Sequence, residues 1–157
     1  MTVGVLGRSD AEPPDSDELA RWTVEATLIA PRSLRHELLE QWGDLAGPVT
    51  MGRVALALTE LVTNAVQHGQ DSITVVLGRT PTGLLIQVSE HPPPLDRPQA
   101  GVNAWRQSSP DADPGGRGLR IVAAVSTRSG RLRRGATSTV WAEVPVHSAA
   151  MGAPAAT

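Results

Sequence analysis

The stretch from Val54 to Gly69, VALALTELVTNAVQHG, leaves this chain few ways to fold. Val54, Leu58, Leu61, Val62 and Ala65 recur at the spacing of a helix that buries one face, and Gly69 stands where such a helix stops. Along its flank Glu60, Asn64 and His68 follow at intervals of four, so one narrow stripe carries a carboxylate, a carboxamide and an imidazole. That stripe has two readings: the solvated side of an amphipathic helix, or one wall of a metal and nucleotide site. The rest of the chain has to decide between them.

A core helix needs a core around it. At 157 residues the chain fits one domain, and a domain of that size buries roughly 70% of the surface its unfolded form exposes. With no Phe and no Tyr, aliphatic side chains and four Trp must fill the interior. A formal charge of -2 without a basic block argues against nucleic acid as a direct partner. The absence of Cys excludes disulfides, thiol nucleophiles and cysteine metal sites, and the four His (His36, His68, His91, His147) show no ligand spacing. All 14 cationic side chains are Arg. A bound phosphate would therefore be held by backbone amides, arginine or a metal, never by a lysine loop. No signal-like apolar run opens the sequence and none approaches the ~18 residues of a membrane span, so a soluble cytoplasmic protein without a membrane partner is expected.

In order along the chain, residues 1–18 mix prolines, serines and acids without period and read as a flexible leader. Arg21 to Ile29 alternates Trp22, Val24, Ala26 and Leu28 with polar residues, the period of a half-buried strand. Pro31 suits the first turn of a helix carrying Leu34, Leu38, Leu39 and Trp42, which Gly47-Pro48 closes before the central helix. Ser72 to Arg79 and Leu84 to Ser89 form a hairpin around Thr80-Pro81-Thr82-Gly83, and Arg128 to Arg133 with Thr137 to Val144 form a second. The proline-rich stretch 91–115 is expected to be a lid, and residues 147–157 a disordered tail. The domain thus spans 19–146, and helices beside a hairpin-rich sheet give an α+β sandwich.

Two further pieces bear on the stripe. Gly116-Arg117-Gly118 opens a helix whose Leu119 and Val122 pack inward, and a helix start with glycines offers unpaired amides to a phosphate. The same glycines could serve only the dihedral angles of the junction. Glu90 closes a strand just as the chain leaves the sheet, where a carboxylate could accept from the exocyclic amine of a base or simply face solvent.

Taken in order, ELVTNAVQHG, LIQVSEHPPP, GGRGLRIV and STVWAEVPV resemble the GHKL (histidine kinase/Hsp90-like) ATP-binding superfamily, specifically its anti-sigma-factor serine kinases and their small stand-alone relatives, over roughly residues 20–146. The resemblance implies a Bergerat-type two-layer sandwich, a mostly antiparallel sheet against three main helices with a long ATP lid. It implies ATP and Mg²⁺ as cofactors, Asn64 as the magnesium ligand and Glu60 as the group that orients or deprotonates the nucleophile. It also implies nucleotide contacts from His68, Glu90, Gly116, Arg117, Gly118, Leu119 and Thr139. The family normally places Asp, followed by glycine-containing sequence, where this chain has Glu90 and then, after His91, Pro92-Pro93-Pro94.

The function implied is an anti-sigma-factor serine/threonine protein kinase that acts on an anti-sigma-factor antagonist and binds a sigma factor. The alternative is a catalytically weak, nucleotide-dependent module that sequesters a transcription regulator. Relatives of this kind commonly dimerise, so a homodimer is among the expected assemblies. Arg35-His36-Glu37 superficially resembles a phosphoacceptor histidine, but a sensor kinase fragment would need two long dimerising helices ahead of the first strand.

Overall fold

The computed structural model describes residues 11–93 and 116–146, and for 116 and 117 the backbone alone. Their order is β1 (Asp17–Glu25), α1 (Ala30–Trp42), α2 (Pro48–Gln67), β2 (Ser72–Thr80), β3 (Gly83–His91), α3 (Gly116–Val125), β4 (Arg128–Arg134) and β5 (Thr137–Pro145). The strands form one five-stranded sheet in the order β1-β2-β3-β5-β4, and every neighbouring pair is antiparallel. The expected α+β sandwich is therefore the fold, with three helices on one face of the sheet.

The central helix is α2. It starts at Pro48, whose missing N–H costs nothing in a first turn, after an extended Gly47. It ends where Gly69 takes φ 76°, a left-handed conformation that lets the chain turn into β2. Leu58, Leu61, Val54 and Val62 are fully buried in one core cluster with Ile86, Val88 and Val140 of the sheet. Each such side chain contributes about 1.5–3 kcal/mol relative to an exposed one. On either side α2 packs against α1 and α3, so it lies in the middle of the helical layer above β3 and β5. No helix among the described residues is long and apolar enough to cross a membrane.

Two boundaries differ from the sequence reading. The first strand begins at Asp17 and ends at Glu25, four residues short of Ile29. Its ladder stops at the Glu25–Ser72 pair because β2 begins there, and Ala26 and Thr27 turn back through bonds to Asp71 and Glu25. Leu28 is consequently 88% exposed rather than inward, and Ile29 63% exposed. Secondly, part of the expected leader is docked. The backbone N–H of Ala11 bonds to the Arg131 carbonyl on the β4 edge, and Trp141 Nε1 donates to the Ala11 carbonyl at 2.8 Å. Side chains alternate along β5, so Trp141 faces away from the helices. Its indole lies over Gly130, where any Cβ would stand 2.8 Å from the ring and 3.0 Å from Ala11 Cβ. Five residues on, Ser16 Oγ lies 2.6 Å from where a Cβ would be at Gly78 of β2. Residues 11–16 therefore form a strap from β4 towards β2 over the face the helices leave open.

At the end of the sheet remote from His68, Glu143 is 1% exposed on that open face. Burial would raise its pKa, but Arg128 Nε at 2.7 Å and the Thr80 and Thr82 hydroxyls stabilise the anion, and together they hold it below the ordinary glutamate value.

Candidate functional site

The polar stripe of α2 is the middle of the site, and its two ends meet different elements. Glu60 sits one turn before Asn64 and approaches the start of α3: a Cβ placed on Gly118 would stand 2.8 Å from Glu60 Oε1. Glycine there lets the carboxylate and the helix start come together, and any larger residue would push one of them away. The amides of a first helical turn have no partner within their own helix, so Glu60 lies beside a positive, hydrogen-bond-donating end.

His68, one turn after Asn64, reaches the sheet. Its Nδ1 is 3.0 Å from both carboxylate oxygens of Glu90 in β3. Glu90 is only 5% exposed. It is turned to the helices because it continues the inward series Leu84, Ile86 and Val88.

Between these two contacts lies Asn64, 3% exposed, whose Nδ2 has no hydrogen-bond partner among the described residues. Leaving a buried donor unpaired costs about 1–3 kcal/mol. A carboxamide turned by 180° exchanges its nitrogen and oxygen, so the unpaired end can equally present a carbonyl oxygen, a hard ligand suited to Mg²⁺. An orphaned buried carboxamide beside a carboxylate and a glycine-opened helix fits a metal-bridged phosphate group. The donor set and the cradle at Gly118 agree with that chemistry.

The remaining expected residues fall differently. Leu119 packs against the hydrophobic core. The backbone of Gly116 opens α3, whereas the Arg117 side chain and the expected lid beyond Pro93 lie outside the described residues, as does the tail from His147. Thr139 lies on the face of the sheet turned away from the stripe. It pairs with Ser89, and its Oγ1 is 2.7 Å from Ser89 Oγ. The hydroxyl opposite Glu90, on the helix-facing side, belongs to Ser138. Matching motif letters cannot fix strand parity, and a slip of one residue exchanges the faces. The inward series Val140, Ala142, Val144 was the signal that pointed to Ser138.

A sequence model of the histidine kinase-like ATPase domain matches residues 18–143. The chain belongs to the histidine kinase-like ATPase family. Among solved structures, this histidine kinase-like domain is similar to the crystal structure of the RsbU and RsbW domains of Rv1364c from Mycobacterium tuberculosis, with a TM-score of 0.53 at 18% identity. That likeness is one of fold. It covers 82% of this chain and 33% of the other, so the chain spans about a third of the length of that structure. Comparison with curated proteins gives no match.

Proposed function

We propose that this histidine kinase-like domain binds ATP with Mg²⁺ and acts as an anti-sigma-factor serine/threonine protein kinase on an antagonist protein. The observation that carries the reading is the orphaned Asn64 carboxamide, buried between the Glu60–Gly118 approach and the His68–Glu90 contact. Asn64 would hold the metal, the Gly116 and Gly118 backbone would receive the phosphates, and Glu90 would face the base. Mg²⁺, when bound, supplies neutralisation of phosphate charge.

Glu60 is the group suited to the proton. In the transfer, a partner's serine oxygen forms a bond to the γ-phosphorus, the bond from that phosphorus to the bridging oxygen of ADP breaks, and Glu60 accepts the hydroxyl proton. Glu60 would take this role without a lysine, which this chain does not have. The proposed partners are a sigma factor and its antagonist, as the sequence resemblance implies.

A second reading rests on one observation. Glu90 already accepts from His68, so part of its hydrogen-bonding capacity is used inside the protein, which favours a module that binds nucleotide weakly and regulates by sequestration. Transfer of ³²P from γ-labelled ATP to a candidate antagonist separates the two. The kinase reading expects labelled serine, and Glu60→Gln to lower the rate by about 100-fold or more while ATP affinity stays near the parent's. ATP binding without any transfer would leave the sequestering module.

A further inference from the structure

The pairing of His68 with Glu90 goes beyond a general nucleotide site, and its meaning depends on the reading above. Glu90 is buried, carries three rotatable side-chain bonds, and has His68 Nδ1 as its hydrogen-bond donor among the described residues. An ionised Glu90 can only accept, so its contact with His68 takes the Nδ1–H tautomer, and the equal 3.0 Å distances place Nδ1 between the two oxygens. The backbone at His68 is anchored, because its N–H caps α2 on the Asn64 and Ala65 carbonyls.

We infer that His68 is a positioning residue, which locks the Glu90 carboxylate in the orientation that accepts from a 6-amino purine and rejects a 6-oxo purine. With the space between its oxygens occupied by Nδ1–H, the carboxylate keeps only its outer lone pairs. An exocyclic amine can donate to one of these. A purine O6 would instead bring one acceptor against another, and a site that leaves buried polar groups unpaired rejects the wrong ligand strongly. The pairing also accounts for glutamate at this position. Aspartate would retract the carboxylate by about one carbon–carbon bond, roughly 1.5 Å, and lose the imidazole.

Titration calorimetry with Mg²⁺ and either ATP or inosine triphosphate tests this on the full chain and on His68→Asn, His68→Gln and Glu90→Asp. Asparagine places an N–H donor where Nδ1 stands, whereas glutamine moves it outward by about one bond. The parent and His68→Asn are expected to prefer ATP by about 30-fold, and His68→Gln and Glu90→Asp by less than about three-fold. A purely structural His68 would alter melting temperature alike in the two histidine variants and leave the ATP preference of both intact, which overturns the inference. Nitrogen-15 NMR of the nucleotide-free parent is a check that needs no variant: it should show Nδ1 protonated, and an unprotonated Nδ1 also overturns it. Failure of the parent to bind either triphosphate would bring down the nucleotide reading itself, a different result from equal binding of both.

Discussion

Glu90 and Glu143 are both buried glutamates of one sheet, on opposite faces and at opposite ends, yet they are solvated by the protein in different ways. Glu143 receives Arg128, Thr80 and Thr82, so its oxygens are saturated by three side chains. Glu90 receives His68 alone among the described residues, with the unpaired Asn64 amide one helical turn away from that histidine. A saturated carboxylate fixes structure, because every lone pair it spends is repaid inside the fold. On the proposed reading, a carboxylate with one donor beside an orphaned carboxamide keeps capacity for a ligand at that end of the sheet.

The contrast can be broken by experiment. The largest effect should come from Asn64→Ala, which is expected to lower Mg²⁺-dependent ATP affinity by about 100-fold, or about 2.7 kcal/mol, with little change in melting temperature. Equal calorimetric affinity in parent and variant would remove Asn64 from the site. Next, Glu143→Gln should cost about 2 kcal/mol of stability in urea unfolding, since it takes the charge from a bond to Arg128. Glu90→Gln should cost less than about 1 kcal/mol. Comparable losses would erase the distinction between the two ends.

A smaller effect separates the two hydroxyls of β5. Ser138→Ala should weaken ATP binding about three- to five-fold, the loss of one neutral hydrogen bond of about 1 kcal/mol, and Thr139→Ala should leave binding unchanged. The reverse result would restore Thr139 to the site. Smallest is a pH effect. Because the folded pKa of Glu143 is depressed, its stabilising contribution is complete above the ordinary glutamate value of about 4.3 and fades as pH falls through the lower folded value. The parent's melting temperature should therefore drop more steeply below about pH 4 than that of Glu143→Gln.

Much of the fold was legible because it rests on period. The apolar series of α2 and the β-rich runs of β2, β3 and β5 need only the backbone's own geometry. The polar stripe was equally legible, since residues four apart on a helix must share a face. What sequence did not reveal depends on partners far away in the chain. The pattern through Ala26 and Leu28 continues the strand's alternation, but the ladder ends with Glu25 because its neighbour begins at Ser72. Glu143 alternates with Ala142 and Val144 and so reads as a solvent-facing acid, whereas it is buried. The docked strap is held largely by its backbone and by one indole donor, and such contacts leave no hydrophobic pattern in Ala11-Glu12-Pro13-Pro14. Gly130 and Gly78 carried the hint, because a glycine inside a strand often marks a close approach.

The strap has a practical consequence for anyone joining this domain to another. Ala11 lies beside Arg131 at the outer edge of β4, on the far side of the sheet from β1. A reporter fused ahead of it would hang from that margin, behind the sheet and away from the helical layer that carries the stripe. Cutting the gene at Asp17 instead would move the attachment point across the whole sheet and strip the cover from an indole, which should show as a red-shifted tryptophan emission.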